Sequence, residues 1–469
     1  MATLKFILVL LEVLMIFNLL IAVHELGHFL AAKWRGLKID RFAIWFGKPI
    51  WKKKIGGVEY ALGWIPAGGY VALPQMASME AIEGKSDRSE GPLPNISALD
   101  KIIVAFAGPL FSFLLAVAFA VVVWGVGKPE VAGGKTTTLG WVDPNGPAWN
   151  AGLRAGDTIL EVNSNKVTEF APPSQDSITW RIITSAGTNI PIKYVRNGEE
   201  RMAYPVPYRR ATHWYERKAL RQILVAPAIE PVVDQPLTNS PAQFAGLKHG
   251  DKIIKLEGEK ISSAHAVWYL EDTMTNGATR PVTFTIQRGD EQIEKTLTPE
   301  RPLKPNENTV SFGIQFLGNT NVAIVHPTPG KQIEDSANQI FNTLGALFSR
   351  HNDIGPGQLG GAVMIMRVYS NLFDNEQGWR LVLWFSVVLN VNLALLNMLP
   401  FPVLDGGHIT LAIIEVIRRR PVSSKLLEYI QTGCAILLIG FMLFIAFFDT
   451  GDWVRSAKSN KPIVFAPKN

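Results

Sequence analysis

The sequence predicts a polytopic α-helical membrane protein of about four spans, interrupted by a large extracytoplasmic α+β insert. Three observations predict it. The 469 residues are 47% hydrophobic and 18% charged, and the apolar ones gather into four blocks at about 6–32, 103–127, 381–399 and 427–448. A polar stretch of roughly 250 residues, room for two small domains, lies between the second and third blocks. Cationic residues collect in two short loops, one from Lys33 to Lys54 and one holding Arg418, Arg419, Arg420 and Lys425. The positive-inside rule puts both loops in the cytosol, and both termini and the insert outside.

The first block is long enough to cross a bilayer, although Glu12 and Asn18 interrupt it. It is longer than the apolar region of a signal peptide, and no small-residue cleavage site precedes His24. Near its end stands His24-Glu25-Leu26-Gly27-His28. The H-E-x-x-H spacing on a helix puts two imidazoles one turn apart on one face, where both can ligate zinc. The neighbouring Glu can hold and deprotonate an activated water. Ionisable groups within a span cost roughly 2–4 kcal/mol or more each, so such a motif is retained for chemistry. A zinc site within the membrane implies hydrolysis of something that resides there.

After the first cationic loop, Val58–Ile65 and Tyr70–Leu73 flank Pro66-Ala67-Gly68-Gly69 and read as a β-hairpin. An edge strand at Gly68, Gly69, Tyr70 and Val71 would clamp an extended substrate by strand addition. The Lys52–Lys54 run reads as a juxtamembrane cationic flank, and no nucleic-acid partner is expected. Cys434, the only cysteine, lies in the fourth block as a small packing residue. Extracytoplasmic domains of this size without cysteines suit a bacterial envelope.

The insert contains a repeat. Pro147-Ala148, Ala151-Gly152-Leu153, Gly156-Asp157 and Ile159 recur as Pro241-Ala242, Ala245-Gly246-Leu247, Gly250-Asp251 and Ile253. The constant spacing is that of a small domain rather than a solenoid. Gly152 and Gly246 suit helix C-caps, and Gly-Asp leads into the strands Thr158–Val162 and Lys252–Leu256. The pattern resembles bacterial, circularly permuted PDZ domains over 128–212 and 222–303. Such domains bind extended peptides by strand addition and often capture a terminal carboxylate in a loop. Leu139–Val142 and Ile223–Pro227, preceding the two copies, are candidate loops, although Ile223-Leu224-Val225 lacks a glycine. The alternative is a steric filter that binds no peptide. Past the repeats, Phe312–Phe316 reads as a closing strand, and 333–349 and 362–373 as packing helices separated by the glycine-rich turn 355–361.

Catalytic zinc usually takes three protein ligands and a water. His213, His249, His265, His326 and His351 lie in the insert, away from the cytosolic end of the first span, and read as surface residues. The third candidate is in Asn397-Met398-Leu399-Pro400-Phe401-Pro402-Val403-Leu404-Asp405-Gly406-Gly407-His408. By the 1.5 Å helical rise, His24 lies about 28 Å along the first span and Asn397 about 25 Å along the third, so Asp405 arrives at comparable depth. Pro400 and Pro402 break the helix, and Gly406-Gly407 allow a close backbone approach to the metal. His24, His28 and Asp405 would then form an N₂O site with one open position. His408 is the rival ligand, read as a packing or supporting residue.

With these residues in place, the chain resembles the site-2 proteases, the intramembrane zinc metalloproteases. It is most similar to the bacterial PDZ-containing group of the regulator of sigma-E protease type. The likeness runs almost end to end, through Phe42–Pro49, Ile65–Val71, Ala107-Gly108-Pro109 and Asn397–Gly407. It implies a membrane-associated β-hairpin and two extracytoplasmic PDZ-like α+β domains among about four transmembrane helices. The implied domains are 1–127 (first part of the membrane core), 128–212 and 222–303 (PDZ-like), 304–377 (closing strand and amphipathic helices) and 378–469 (second part of the core).

The resemblance also implies His24, His28 and Asp405 as ligands of one Zn²⁺ per chain, Glu25 as the base and Asn397 as a substrate or transition-state contact. It implies cleavage within transmembrane segments of single-span proteins, anti-sigma factors or signal-peptide remnants, in a bacterial inner membrane. Family members often carry an Asn four residues after the Ala-Gly-Pro proline, and the nearby polar residue here is Ser112. The competing readings are a catalytically silent peptide-binding scaffold and a cation transporter. The apolar blocks show none of the internal repeats that transporters favour.

Overall fold

The computed structural model describes residues 2–76, 96–131, 135–171, 174–275, 277–304, 309–317, 322–349, 352–373, 377–420, 424–459 and 462–467. His351, one of the histidines assigned to the surface, lies outside them. The chain divides into two compact units. One holds Met1–Pro129, Ile324–Phe341 and Gly360–Asp449, and the other Glu130–Ala323, Asn342–Leu359 and Thr450–Asn469.

The first unit is built on long apolar helices. Helix α1 (Ala2–Trp34) is followed by strands β1 (Arg41–Phe46), β2 (Trp51–Ile55), β3 (Val58–Leu62) and β4 (Ile65–Ala72), then by helix α2 (Ala98–Val126). Helix α2 starts on a capping box in which Ser97 and Asp100 satisfy each other's backbone N–H, and it stops at Gly127, whose φ is +79°. Among the described residues, four helical stretches are long and apolar enough to cross a membrane: Leu10–Trp34, Ala98–Val126, Gly378–Asn397 and Leu427–Ala457. They correspond to the four apolar blocks. Helices α1 and α2 touch where Gly27 faces Ala107, and a Cβ at Gly27 would lie 2.4 Å from the Ala107 carbonyl oxygen. Small residues at such a crossing let two backbones approach where no hydrophobic effect drives association.

The expected hairpin is a four-stranded sheet, in the order β2-β3-β1-β4. Strand β1 runs parallel to β3 and antiparallel to β4, so 58–65 and 70–73 never pair with each other. Gly68-Gly69 form no turn. They lie inside β4, with Ile44 opposite Gly69 and Ala43 opposite Tyr70. Strand β4 is at the sheet edge, which tolerates Pro66 because its missing N–H is not needed by a second neighbour.

The second unit carries the repeat. After a short strand β5 (Lys128–Val131), the first copy runs β6 (Leu139–Val142), α3 (Pro147–Asn150), β7 (Thr158–Val162), β8 (Asn165–Lys166), α4 (Ile178–Ile183), β9 (Ile192–Arg196), β10 (Glu199–Ala203) and β11 (Val225–Pro227). The second runs β12 (Val233–Pro236), α5 (Pro241–Phe244), β13 (Lys252–Leu256), β14 (Glu259–Lys260), α6 (His265–Thr275), β15 (Val282–Arg288), β16 (Glu291–Leu297) and β17 (Ile314–Phe316). Each copy has one four-stranded and one two-stranded sheet. Their recurring aspartates have a structural job. Asp157 and Asp251 are buried, and each is gripped by an arginine at the end of a neighbouring strand, Arg196 at 2.6 and 2.7 Å and Arg288 at 2.7 Å to both oxygens.

Each core extends past the boundary expected from the sequence. Ile223 and Val225 pack into the first copy, and β11 pairs with β6. Val310, Phe312, Ile314 and Phe316 pack into the second, where β17 pairs with β12. The loop Ile223-Leu224-Val225 therefore closes the first copy and does not open the second. Its counterpart is Phe312-Gly313-Ile314. Ile223 and Phe312 accept from Ala148 and Ala242, and Leu224 and Gly313 share the left-handed backbone (φ +57° and +72°). The glycine expected of a carboxylate loop is thus present in the second copy and replaced by leucine in the first.

Strand β18 (Val322–Val325) precedes α7 (Pro329–Phe348), α8 (Ala362–Phe373), α9 (Gly378–Asn397), α10 (Asp405–Arg418) and α11 (Ser424–Ser459). Ile333 and Ala337 of α7 pack with Ala116, Ala120 and Val123 of α2 and Val387 and Val391 of α9, as expected for a packing helix. In the second unit the chain end bridges back, Val464 to Lys304, and buries Phe465.

Candidate metal centre

The three candidate ligands meet within the first unit. Helix α1 presents His24 and His28 one turn apart, with their Nε2 atoms 3.3 Å from each other. Asp405 is the first residue of α10, after the break at Pro400-Phe401-Pro402. Its Oδ2 lies 3.2 Å from His24 Nε2 and its Oδ1 3.3 Å from His28 Nε2. Among the described residues this is the one group of three or more His, Cys, Asp or Glu that could hold a metal. A tetrahedral zinc with Zn–N of about 2.0–2.1 Å requires ligand atoms about 3.3 Å apart. The two imidazole nitrogens have that separation, each has an Asp405 oxygen at nearly the same distance, and one ligand atom from each residue lies within 4.8 Å of the others, so the donor set of two imidazoles and a carboxylate fits zinc.

The sequence left open what fixes the imidazoles. His28 Nδ1 lies 2.8 Å from the Val104 carbonyl oxygen, which only accepts, so Nδ1 carries the proton and Nε2 is free to ligate. His24 Nδ1 lies 3.0 Å from Ser112 Oγ, and Ser112 is fully buried. Both partners come from α2. That helix comes so near because Gly108 has no side chain: a Cβ there would sit 2.2 Å from His28 Nε2 and 2.9 Å from His24 Nε2. Gly406 and Gly407 serve a different approach from the one expected. Cβ atoms there would collide with the carbonyl oxygens of Met398 and Phe401, at 2.3 and 2.0 Å, so they make room for the turn's own backbone rather than for a metal.

A cavity of about 310 Å³ opens on this triangle. Glu25 and Asn397 line it, as do Gly68, Gly69, Tyr70 and Val71 of edge strand β4. Asn397 Nδ2 is 3.4 Å from His24 Nε2. Gly69 passes close to the base candidate, since a Cβ there would be 3.0 Å from Glu25 Cγ. His408 lines the cavity but stands outside the three-residue cluster. Glu12 is exposed on α1, away from this lining. Lys101 of α2 pairs with Glu415 of α10 at 2.7 Å, fixing the helix that carries Asp405. Asn18 of α1 accepts from the Trp45 indole of β1 and ties the sheet to the same helix.

Residues 12–441 match Peptidase family M50. The chain belongs to peptidase family M50. This M50 peptidase is 28% identical to a "Putative zinc metalloprotease" of Vibrio cholerae, over 93% of this chain and 96% of that one. It is 28% identical to the regulator of sigma E protease of Haemophilus influenzae, over 92% and 96%. It is 27% identical to the regulator of sigma-E protease RseP of Salmonella typhimurium, over 91% and 95%. A PDZ domain of an SdrC-like protein from Listeria monocytogenes aligns with 20% of this chain and 92% of its own, at 19% identity and a TM-score of 0.16. The M50 peptidase is an intramembrane zinc metalloprotease of the site-2 type, a multi-pass membrane protein that acts on membrane proteins.

Proposed function

We propose that this peptidase binds one zinc ion per chain through His24, His28 and Asp405, and cleaves transmembrane segments of single-span proteins with Glu25 as proton carrier. The observation that carries the reading is the triangle of metal-facing atoms on a membrane helix, opening into the cavity that Glu25 lines. Zinc held by such a set polarises a peptide carbonyl and lowers the pKa of water to about 7. Glu25 takes the proton of the attacking water and returns it to the leaving nitrogen. The Asn397 amide, 3.4 Å from His24 Nε2, donates to the substrate carbonyl or its tetrahedral successor.

A transmembrane helix hides its peptide bonds, so it must unwind and find other partners. The free edge of β4 offers them by strand addition, with Gly68, Gly69, Tyr70 and Val71 facing the same cavity as Glu25. The two cationic loops support a topology with both termini and the second unit outside the cytosol of a bacterial inner membrane. The repeats then act as PDZ-like domains outside the cytosol and sort substrates by their outer portions. The names of the Haemophilus and Salmonella relatives favour an anti-sigma factor as one substrate, with signal-peptide remnants as further targets.

The test uses the detergent-purified chain, a single-span substrate lacking its outer domain, and Glu25→Gln alongside. Cleavage by the wild type, with none by Glu25→Gln at equal zinc content, is the expected result. Equal cleavage by both would remove Glu25 from the mechanism. Absence of cleavage by either, across a panel of spans with zinc bound, would favour a silent scaffold.

A further inference from the structure

The segment joining β10 to β11 in the second unit is exposed over most of its length, and its composition is unusual for a linker. Trp214 is 85% exposed, the highest value of any large apolar side chain among the described residues. A tight turn projects it. Glu216 N–H donates to the His213 carbonyl at 3.0 Å, and the Glu216 carboxylate accepts from His213 N–H at 3.2 Å. Tyr215, 40% exposed, stacks on the His213 ring at 5.2 Å and meets Trp214 edge-on at 5.7 Å. The aromatic pair is therefore held in a fixed outward pose, at a cost in exposed apolar area that water does not repay.

The position of this turn is also fixed. The next residue, Arg217, donates from Nε to Asp452 Oδ2 at 2.6 Å, and from a terminal nitrogen to the Gly357 and Leu359 carbonyls at 2.6 and 2.8 Å. Asp452 lies near the end of the candidate span Leu427–Ala457. That span has 31 residues, about 46 Å of helix, whereas a hydrocarbon core is about 30 Å thick. The last turns carry the ionisable Asp449, Asp452 and Arg455, which the hydrocarbon disfavours, so the excess belongs at this end in the headgroup layer, and Arg217 holds the turn beside them. Residues 208–218 carry Arg209, Arg210, Arg217 and Lys218 against Glu216, a net charge of four minus one, or +3. Arg209 is satisfied by Asp353 at 2.5 Å, the Arg210 side chain is 68% exposed with only a loose contact to Glu216 at 3.8 Å, and Lys218 is exposed.

We propose that the turn Trp214–Glu216 is a membrane-surface anchor, with Trp214 and Tyr215 seated at the boundary between headgroups and acyl chains and Arg210 and Lys218 on anionic headgroups. Tryptophan and tyrosine favour that boundary because one part of the ring system is apolar and the other donates a hydrogen bond. Juxtamembrane cations are drawn to anionic lipid over about a Debye length. The anchor is independent of the catalytic reading and requires only that α11 ends in a bilayer.

The experiment places a spin label at Ala211, three residues from Trp214, in the full chain with Cys434→Ala, reconstituted in vesicles of phosphatidylethanolamine and phosphatidylglycerol. A second label at Asp290, in the exposed turn between β15 and β16, is the water reference. The expected result is a several-fold higher ratio of oxygen to nickel-chelate accessibility at Ala211→Cys than at Asp290→Cys. Adding Trp214→Ser should return the ratio to the reference, and phosphatidylcholine vesicles should lower it. Equal ratios at the two positions in the anionic vesicles would overturn the anchor. Shielding of the Ala211 label from both reagents would also overturn it, in favour of a protein partner.

Discussion

Ser112 Oγ lies 3.0 Å from His24 Nδ1 while Nε2 of the same ring faces Asp405. The hydroxyl is fully buried and is a hydrogen-bond partner of that nitrogen. Groups that hold the far nitrogen of a metal-binding imidazole fix its tautomer and are worth about 10–100-fold in metal affinity. Ser112→Ala should weaken zinc binding by about that factor in a chelator competition. Ser112→Thr, which keeps the hydroxyl, should restore most of it. Unchanged zinc affinity in Ser112→Ala would show that the hydroxyl does not orient His24.

Gly108→Ala tests the approach of α2. Its methyl would fall 2.2 Å from His28 Nε2, inside the space the metal-facing atoms share. The variant should fold, because the clash involves side chains rather than the helix itself, yet retain little zinc by elemental analysis. Full zinc occupancy in a folded Gly108→Ala protein would mean that the two helices are further apart than described.

Arg288 and the buried Asp251 form the lock of the second repeat. Burial acts to raise the Asp251 pKa, but the hydrogen bonds from Arg288 and from the Lys248 N–H outweigh it and hold it below the ordinary value. Stability from this carboxylate is present above its unfolded pKa and is lost as pH falls through the depressed folded one. Arg288→Ala leaves a buried charge without its partner and should destabilise the repeat by about 3–5 kcal/mol. The arginine is part exposed, so the lower end is expected. Urea unfolding of the second unit, followed by hydrogen exchange at Phe284 and Ile286, measures the change.

Glu271 gives the opposite pH dependence. Burial raises its pKa from 4.5 to about 7, against the lowering effect of hydrogen bonds from the Phe312 N–H and Ser311 Oγ. The folded repeat keeps this proton at pH values where the unfolded chain has released it. Stability should therefore fall as pH rises from about 4.5 to about 7, by up to about 3 kcal/mol, reduced because the side chain is part exposed. Glu271→Gln should flatten that slope in the same exchange measurement. An identical slope in the variant would assign the dependence to another group.

The metal triangle could be expected from the sequence because ligation demands particular side chains at particular spacings. His24 and His28 are one turn apart, and Asp405 follows a proline break at matching depth. The groups behind the imidazoles left no such mark. Val104 contributes only a carbonyl oxygen, which every residue has, and Ser112 is an ordinary small residue for a packed helix. Gly68-Gly69 resemble a turn because glycine pairs usually are one, yet β1 comes between the two apparent arms. The repeat boundaries were obscured in another way. The motif residues keep one spacing, but the closing loops at Ile223 and Phe312 do not, so the internal symmetry fades before each copy is complete.

The proposed ligands of the centre come from far-separated parts of the chain, His24 and His28 from its first helix and Asp405 from beyond the large insert. A ribosome adding about 5–20 residues per second needs roughly 20–80 s to travel from one to the other. Throughout that interval the nascent chain has a membrane helix with two histidines and a glutamate but no third ligand. On the proposed ligand set, the emerging chain cannot complete its metal centre while its later spans are still being inserted. On that reading its activity would begin only once the penultimate span has been threaded and the turn after it has closed, so the order of synthesis would provide the safeguard that other proteases obtain from a propeptide.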